Sequence, residues 1–233
     1  MRQSHGPEEL FARPLLRAMA DALVEIPDAA RQDGLDFLAL LAGLKRTCLI
    51  GRGFADNEFS SFLSGLAATA GLPTHMGAGW EPMGVLPVWY LEASARRRAR
   101  QDLLYICADE AAREEVAALC GKGRVTAAEE AALLSYPLCC VEAHHRRTLE
   151  IEKLHIEWAG EDIERAARLI AAGLEPRPQA PADWARLEAL VATTHAACTS
   201  VAMCAACIAD HDGAAARMSR RYRDLARAAG YRI

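Results

Sequence analysis

The chain predicts a mainly α-helical α+β protein with a small β-sheet in its N-terminal half. Two observations carry this. Apolar residues recur at helical spacing over most of the 233 residues. The short β-branched or aromatic runs that read as strands are confined to residues 47 to 107.

Pro7-Glu8-Glu9 opens the first helical pattern, with Leu10, Phe11, Leu15, Leu16, Met19, Leu23 and Val24 on its stripe and an end expected before Pro27. Asp28 is a plausible N-cap for a second helix to Gly43, with Leu35, Leu38 and Leu41 on one side. Thr47-Cys48-Leu49-Ile50 reads as a strand closed by Gly51-Arg52-Gly53, and Asp56 to Gly71 as a helix. Leu72 to Pro87 reads as a long loop able to cover a pocket, or as a surface loop pinned by Trp80. Val85 to Leu91 and Asp102 to Cys107 are expected as strands, with Arg96-Arg97-Arg98-Ala99-Arg100 as a solvated basic turn between them.

A helix from Asp109 should stop at Gly121-Lys122-Gly123, giving a βα unit. Thr126, with Glu129 three residues later, is a capping-box start for a helix to Leu134. Pro137 suits N1 of a long helix from Leu138 to about Trp158. A further helix spans Glu161 to Ala172, and Glu175 to Pro181 is a stiff linker by composition. Two last helices are expected over Asp183 to Thr193 and Ala214 to Ala229. The division that follows is 1-174 as main domain and 182-233 as C-terminal helices packed onto it in one structural unit.

With 52% hydrophobic and 25% charged residues, the chain has the balance of a globular protein, and its net charge of -4 gives no global reason to expect nucleic acid as a partner. No stretch approaches the roughly 20 apolar residues that span a bilayer, and the N-terminus lacks an apolar signal segment, so the expected location is the cytoplasm and no membrane partner is expected. There, eight cysteines favour metal binding or redox work over a disulfide framework. Neither a dinucleotide fingerprint, nor a P-loop, nor a nucleophile elbow occurs.

Cys48, Cys107 and Cys120 fall on apolar positions and read as buried, inert thiols. The other five gather in two segments. Cys139 and Cys140 sit at a helix start, where the dipole favours thiolate, and His144 is four residues beyond Cys140 on the same face. Their sulfurs should diverge by about 100°, so one is expected to bind while Cys139 is the candidate catalytic, reactive thiol. Distally, Cys204-Ala205-Ala206-Cys207 is a chelating or redox pair, preceded by Cys198.

The candidate metal ligands are therefore Cys139, Cys140, Cys198, Cys204, Cys207 and His144. Soft ligands without an acidic set fit an iron–sulfur cluster first, since a cluster tolerates diverging sulfurs, and a closed zinc site second. Glu142-x-x-His145 and Glu152-x-x-His155 match the di-iron bundle pair but lie on one helix, and are expected as a solvated face.

Leu134-Ser135-Tyr136-Pro137-Leu138-Cys139-Cys140-Val141, followed by the distal cluster and a final Arg/Tyr/Leu helix, resembles an uncharacterised prokaryotic family with a Leu-Gly-Tyr-Pro-x-Cys-Cys-Val segment. The likeness covers about residues 126 to 225, with Ser135 where glycine is usual. It implies one shared site including Cys139, Cys140, Cys198 and Cys204. The function expected is a cysteine-ligated iron–sulfur enzyme acting on a small molecule or modified peptide. Its rivals are a zinc-stabilised binding or accessory protein and a metal-free dithiol oxidoreductase.

Overall fold

A computed structural model describes residues 11–24, 31–50, 57–101, 103–178, 180–196 and 199–230. It is mainly helical, with a small antiparallel sheet early in the chain. The helices are α1 Pro14–Val24, α2 Arg31–Leu41, α3 Asn57–Thr69, α4 Val88–Arg98, α5 Glu110–Lys122, α6 Ala127–Leu134, α7 Leu138–Ala159, α8 Ile163–Ala171, α9 Pro181–Val191, α10 Ala205–Ala209 and α11 Ala214–Ala229. The strands are β1 Thr47–Ile50, β2 Thr74–Gly77, β3 Glu81–Pro82, β4 Leu103–Cys107 and β5 Arg124–Val125. Asp28 and Gly51-Arg52-Gly53 lie outside the described residues.

Strand β4 is the middle of the three-stranded sheet, antiparallel to β1 on one side and β2 on the other. Its alternation explains the layering. Leu104 and Ile106, with Cys48 and Ile50 opposite them, join the core built with α1, α2, α3 and α11. Tyr105 and Cys107 point the other way, into a cluster with Ala112, Val116 and Leu119 of α5. Both faces of the sheet are covered, so β4 is an apolar run without polar alternation. The final helix reaches this core through Tyr222, Leu225, Ala226 and Ala229, although it is the last element in the chain.

Several expectations fail here for physical reasons. Val85 to Leu91 is not a strand: α4 begins after Pro87, whose fixed φ of -58° suits a helix start and whose missing N–H disfavours a paired strand. The arginine run is the last turn of α4 and is not a free basic turn. Arg97 donates to the buried Glu81 carboxylate at 2.6 Å, and Arg98 and Arg124 lie beside it. Leu72 to Pro87 is not one irregular loop, since it contributes β2, paired with β4, and β3, parallel to β5. Within it Trp80 stacks on Tyr105 with ring centroids 5.3 Å apart.

The C-terminal half follows its local signals closely. Thr126 and Glu129 form the reciprocal capping box at the start of α6. Ser135 ends that helix in the left-handed region at φ 59°, and Pro137 caps the long α7 one position earlier than N1. The face of α7 expected to be solvated is partly interior: His145, Glu152 and His155 are buried, while Glu142 is exposed. Burial of His145 and Glu152 is tolerated because His145 meets Glu130 at 2.6 Å and Glu152 meets Arg124 at 3.2 Å. Among the described residues, no helix is long and apolar enough to cross a membrane.

Candidate metal centre

Ser135 and Tyr136 turn the chain sharply between α6 and α7, which places Cys139 and Cys140 in the first turn of a 22-residue helix. On the distal side, His195 and Ala202 are held together by an antiparallel bridge, and Met203 N–H donates to the Thr194 carbonyl at 2.8 Å. Cys204 then caps the short α10, which carries Cys207 in its first turn. Both cysteine pairs therefore sit at helix starts.

The four sulfurs of Cys139, Cys140, Cys204 and Cys207 lie within 4.8 Å of one another, with Cys139 Sγ 3.5 Å from Cys207 Sγ. The expected divergence of Cys139 and Cys140 does not keep them apart. Cα–Cβ bonds lean toward the N-terminus of a helix, so two consecutive first-turn side chains can both reach a point beyond the helix end. Around the sulfurs pack Ala196, Val201, Ala215 and Met203, giving the centre an apolar shell. Cys140 and Cys207 are buried, Cys204 half-buried and Cys139 exposed.

Burial and the thiols of Cys207 and Cys204 push Cys139 up to about 11. Burial likewise pushes Cys140 up. Cys204 moves down instead: burial opposes its thiolate, but the backbone N–H of Cys207 and the three surrounding thiols outweigh it. Negative charge is therefore favoured on Cys204 ahead of Cys139 and Cys140. A tetrathiolate set without oxygen donors can hold a soft or borderline metal ion.

Of the other candidate residues, Cys198 lies outside the described residues. His144 is not in the sulfur group; it is exposed, and its Nδ1 is 3.3 Å from an Arg147 nitrogen. Cys48, Cys107 and Cys120 are apart from the centre, Cys48 and Cys107 fully buried and Cys120 half-buried. Burial pushes all three up, Cys107 to about 11, as befits inert thiols.

Sequence reasoning missed the framework that holds the two halves of the site together. Tyr136 of the Tyr-Pro-x-Cys-Cys segment hydrogen-bonds Ser200 of the distal loop through its hydroxyl, and receives a bond from Lys45 Nζ at 2.9 Å. Lys45 is in turn paired with Asp36 at 2.9 Å, both nearly inaccessible, and Ser200 donates to the same Asp36 carboxylate at 3.1 Å. Burial works against the Lys45 charge, but Tyr136 and Asp36 outweigh it and hold its pKa well above the usual lysine value. A tyrosine directly before Pro-x-Cys-Cys was the available signal; nothing in the sequence marked Asp36 or Lys45.

Comparison of the chain with protein-family models, with curated proteins and with solved structures finds no match.

Proposed function

We propose that the protein is a zinc-stabilised binding or accessory protein in which Cys139, Cys140, Cys204 and Cys207 hold a single ion as a structural crosslink. The observation that carries this is the mutual approach of four sulfurs within 4.8 Å. A tetrahedral ion with metal–sulfur bonds of about 2.3 Å spaces its sulfurs by about 3.8 Å. A cluster puts each sulfur on a different iron or shares them between two, which spreads the set wider. The spacing therefore supports one ion over the cluster that soft ligands alone favour.

Four protein thiolates leave no open coordination position, which supports a structural role over a catalytic one. Bound there, the ion would supply metal–thiolate bonds that tie the start of α7 to the 195–207 segment. The same pairing of segments is what the Tyr-Pro-x-Cys-Cys resemblance implies, and a reducing compartment is where such thiols escape disulfide formation.

Metal analysis of anaerobically purified full-length protein tests the reading. A colourless protein with one zinc per chain and no acid-labile sulfide is expected. Single Ser replacements at Cys139, Cys140, Cys204 and Cys207 should each reduce metal content and thermal stability together, because metal-binding free energy in such sites is folding free energy. Brown protein with matching iron and sulfide overturns the single-ion reading in favour of the iron–sulfur one. Metal content unchanged in all four variants overturns the site.

A further inference from the structure

A cavity of about 360 Å³ opens beside the sulfur centre, with Cys140 in its wall. Its floor is one stripe of α7, Cys140, His144, Arg147, Thr148 and Ile151, which spans about 16 Å along the helix. The opposite wall comes from the end of α9 and from the loop that leads to Cys204. Its volume is at the small end of the range of about 300–1,000 Å³ for ligand pockets.

The cavity has a polar and an apolar character in separate places. Ile151, Leu190 and Val191 supply aliphatic surface away from Cys140. Arg147 lies between that surface and Cys140 on the stripe, and the group its guanidinium meets among the described residues is a histidine nitrogen, His144 Nδ1, not a carboxylate. The acid in the lining, Glu130, is already engaged by His145 Nε2 at 2.6 Å. A cation facing a cavity without an acidic partner favours an anion, and a single guanidinium matches a carboxylate in planar two-bond geometry.

We infer that this cavity binds a small organic carboxylate, its carboxylate on Arg147 and its short aliphatic chain against Ile151, Leu190 and Val191. A divalent cation is disfavoured by Arg147, and a highly charged phosphate by the aliphatic wall. The inference names the ligand class of the binding protein proposed above. It needs from that reading only that the distal loop is held against α7.

Isothermal titration calorimetry on metal-loaded full-length protein tests it, with hexanoate as probe and hexanamide as its uncharged counterpart. Hexanoate should bind saturably, one per chain. Hexanamide, and hexanoate with Arg147→Gln, should each bind about ten-fold or more weakly, the loss expected for a hydrogen bond to a charged group. Leu190→Trp, which fills the aliphatic end without touching Arg147, should also weaken hexanoate, with metal content unchanged in both variants. Metal-loaded protein without saturable binding overturns the inference, as does equal binding of hexanamide or of the Arg147→Gln variant. Protein that binds hexanoate but carries no metal leaves the inference standing and sinks the metal reading instead.

Discussion

Ser135, just before Tyr136 and Pro137, holds a backbone conformation that favours glycine. At φ 59° and ψ 35° the backbone is in the left-handed region that glycine enters without cost. Serine recovers part of that cost, since its Oγ accepts a hydrogen bond from the Arg46 N–H at 3.1 Å. The neighbouring network holds a second costly residue. Asp33, at the start of α2, is raised to about 6, by burial first and by the nearby Asp36 second. Its folded pKa is above the unfolded value, so the stability it contributes is present below about pH 4 and is lost as pH rises through 6. Asp33→Asn should therefore stabilise the protein at pH 7.5 by about 1 kcal/mol after allowance for its partial exposure, with the gain vanishing near pH 4. Urea unfolding at the two pH values checks this; an equal effect at both removes the titration argument.

At the scale of elements, the turn between α6 and α7 does more than start a helix. Tyr136 links Lys45, beyond the end of α2, to Ser200 of the distal loop, so three separated segments meet at one hydroxyl. Tyr136→Phe keeps the ring and removes that hydroxyl, leaving buried polar partners short of a bond, at a cost of about 1–3 kcal/mol. Metal affinity should fall with it, because the loop preceding Cys204 loses its anchor. Denaturant unfolding together with competition against a chromophoric zinc chelator reads both effects, and a loss of stability with unchanged metal affinity would show that the loop is positioned by other contacts. The arginines of α4 teach a related lesson. A run of like charges reads as solvated from sequence alone, yet two of its members turn inward onto Glu81, whose carboxyl is held below the usual range by Ser94 and Arg97 despite its burial.

For the whole molecule, the four cysteines gather the start of α7 and the segment around Cys204 into one place. The sulfur cluster has its own small apolar shell of Cys140, Ala196, Val201, Cys207 and Ala215, which meets the core around β4 through Met218. If the four thiols hold an ion as proposed, its removal should loosen the segment around Cys204 first and leave the N-terminal core folded. Hydrogen exchange after chelation is expected to show lost protection in that segment with β4 unchanged; uniform loss across the chain would mean a single cooperative unit that includes the site. Uptake of zinc should release protons as thiols become thiolates, so affinity should fall as pH falls, measurable by titration in buffers of different ionisation enthalpy.

Much of the fold was legible locally. The capping box at Thr126, the strand Thr47–Ile50 and the final helix Ala214–Ala229 each stand where propensity and pattern put them, because each is determined by residues within a few positions. Val85 to Leu91 reads as a strand because a short apolar run has no period of its own, whereas Pro87 within it carries the deciding information for a helix from Val88. By itself the sequence determined that the chain is helical with a small early sheet, and that its reactive-type thiols fall in two segments. Only the tertiary structure decided that Cys139 and Cys140 converge with Cys204 and Cys207, that His144 stands apart, and that Arg147 faces a cavity. Those facts depend on how the start of α7 meets the segment around Ser200 and Cys204, and the buried Asp36, Lys45, Tyr136 and Ser200 contacts that link them join residues far apart in the chain.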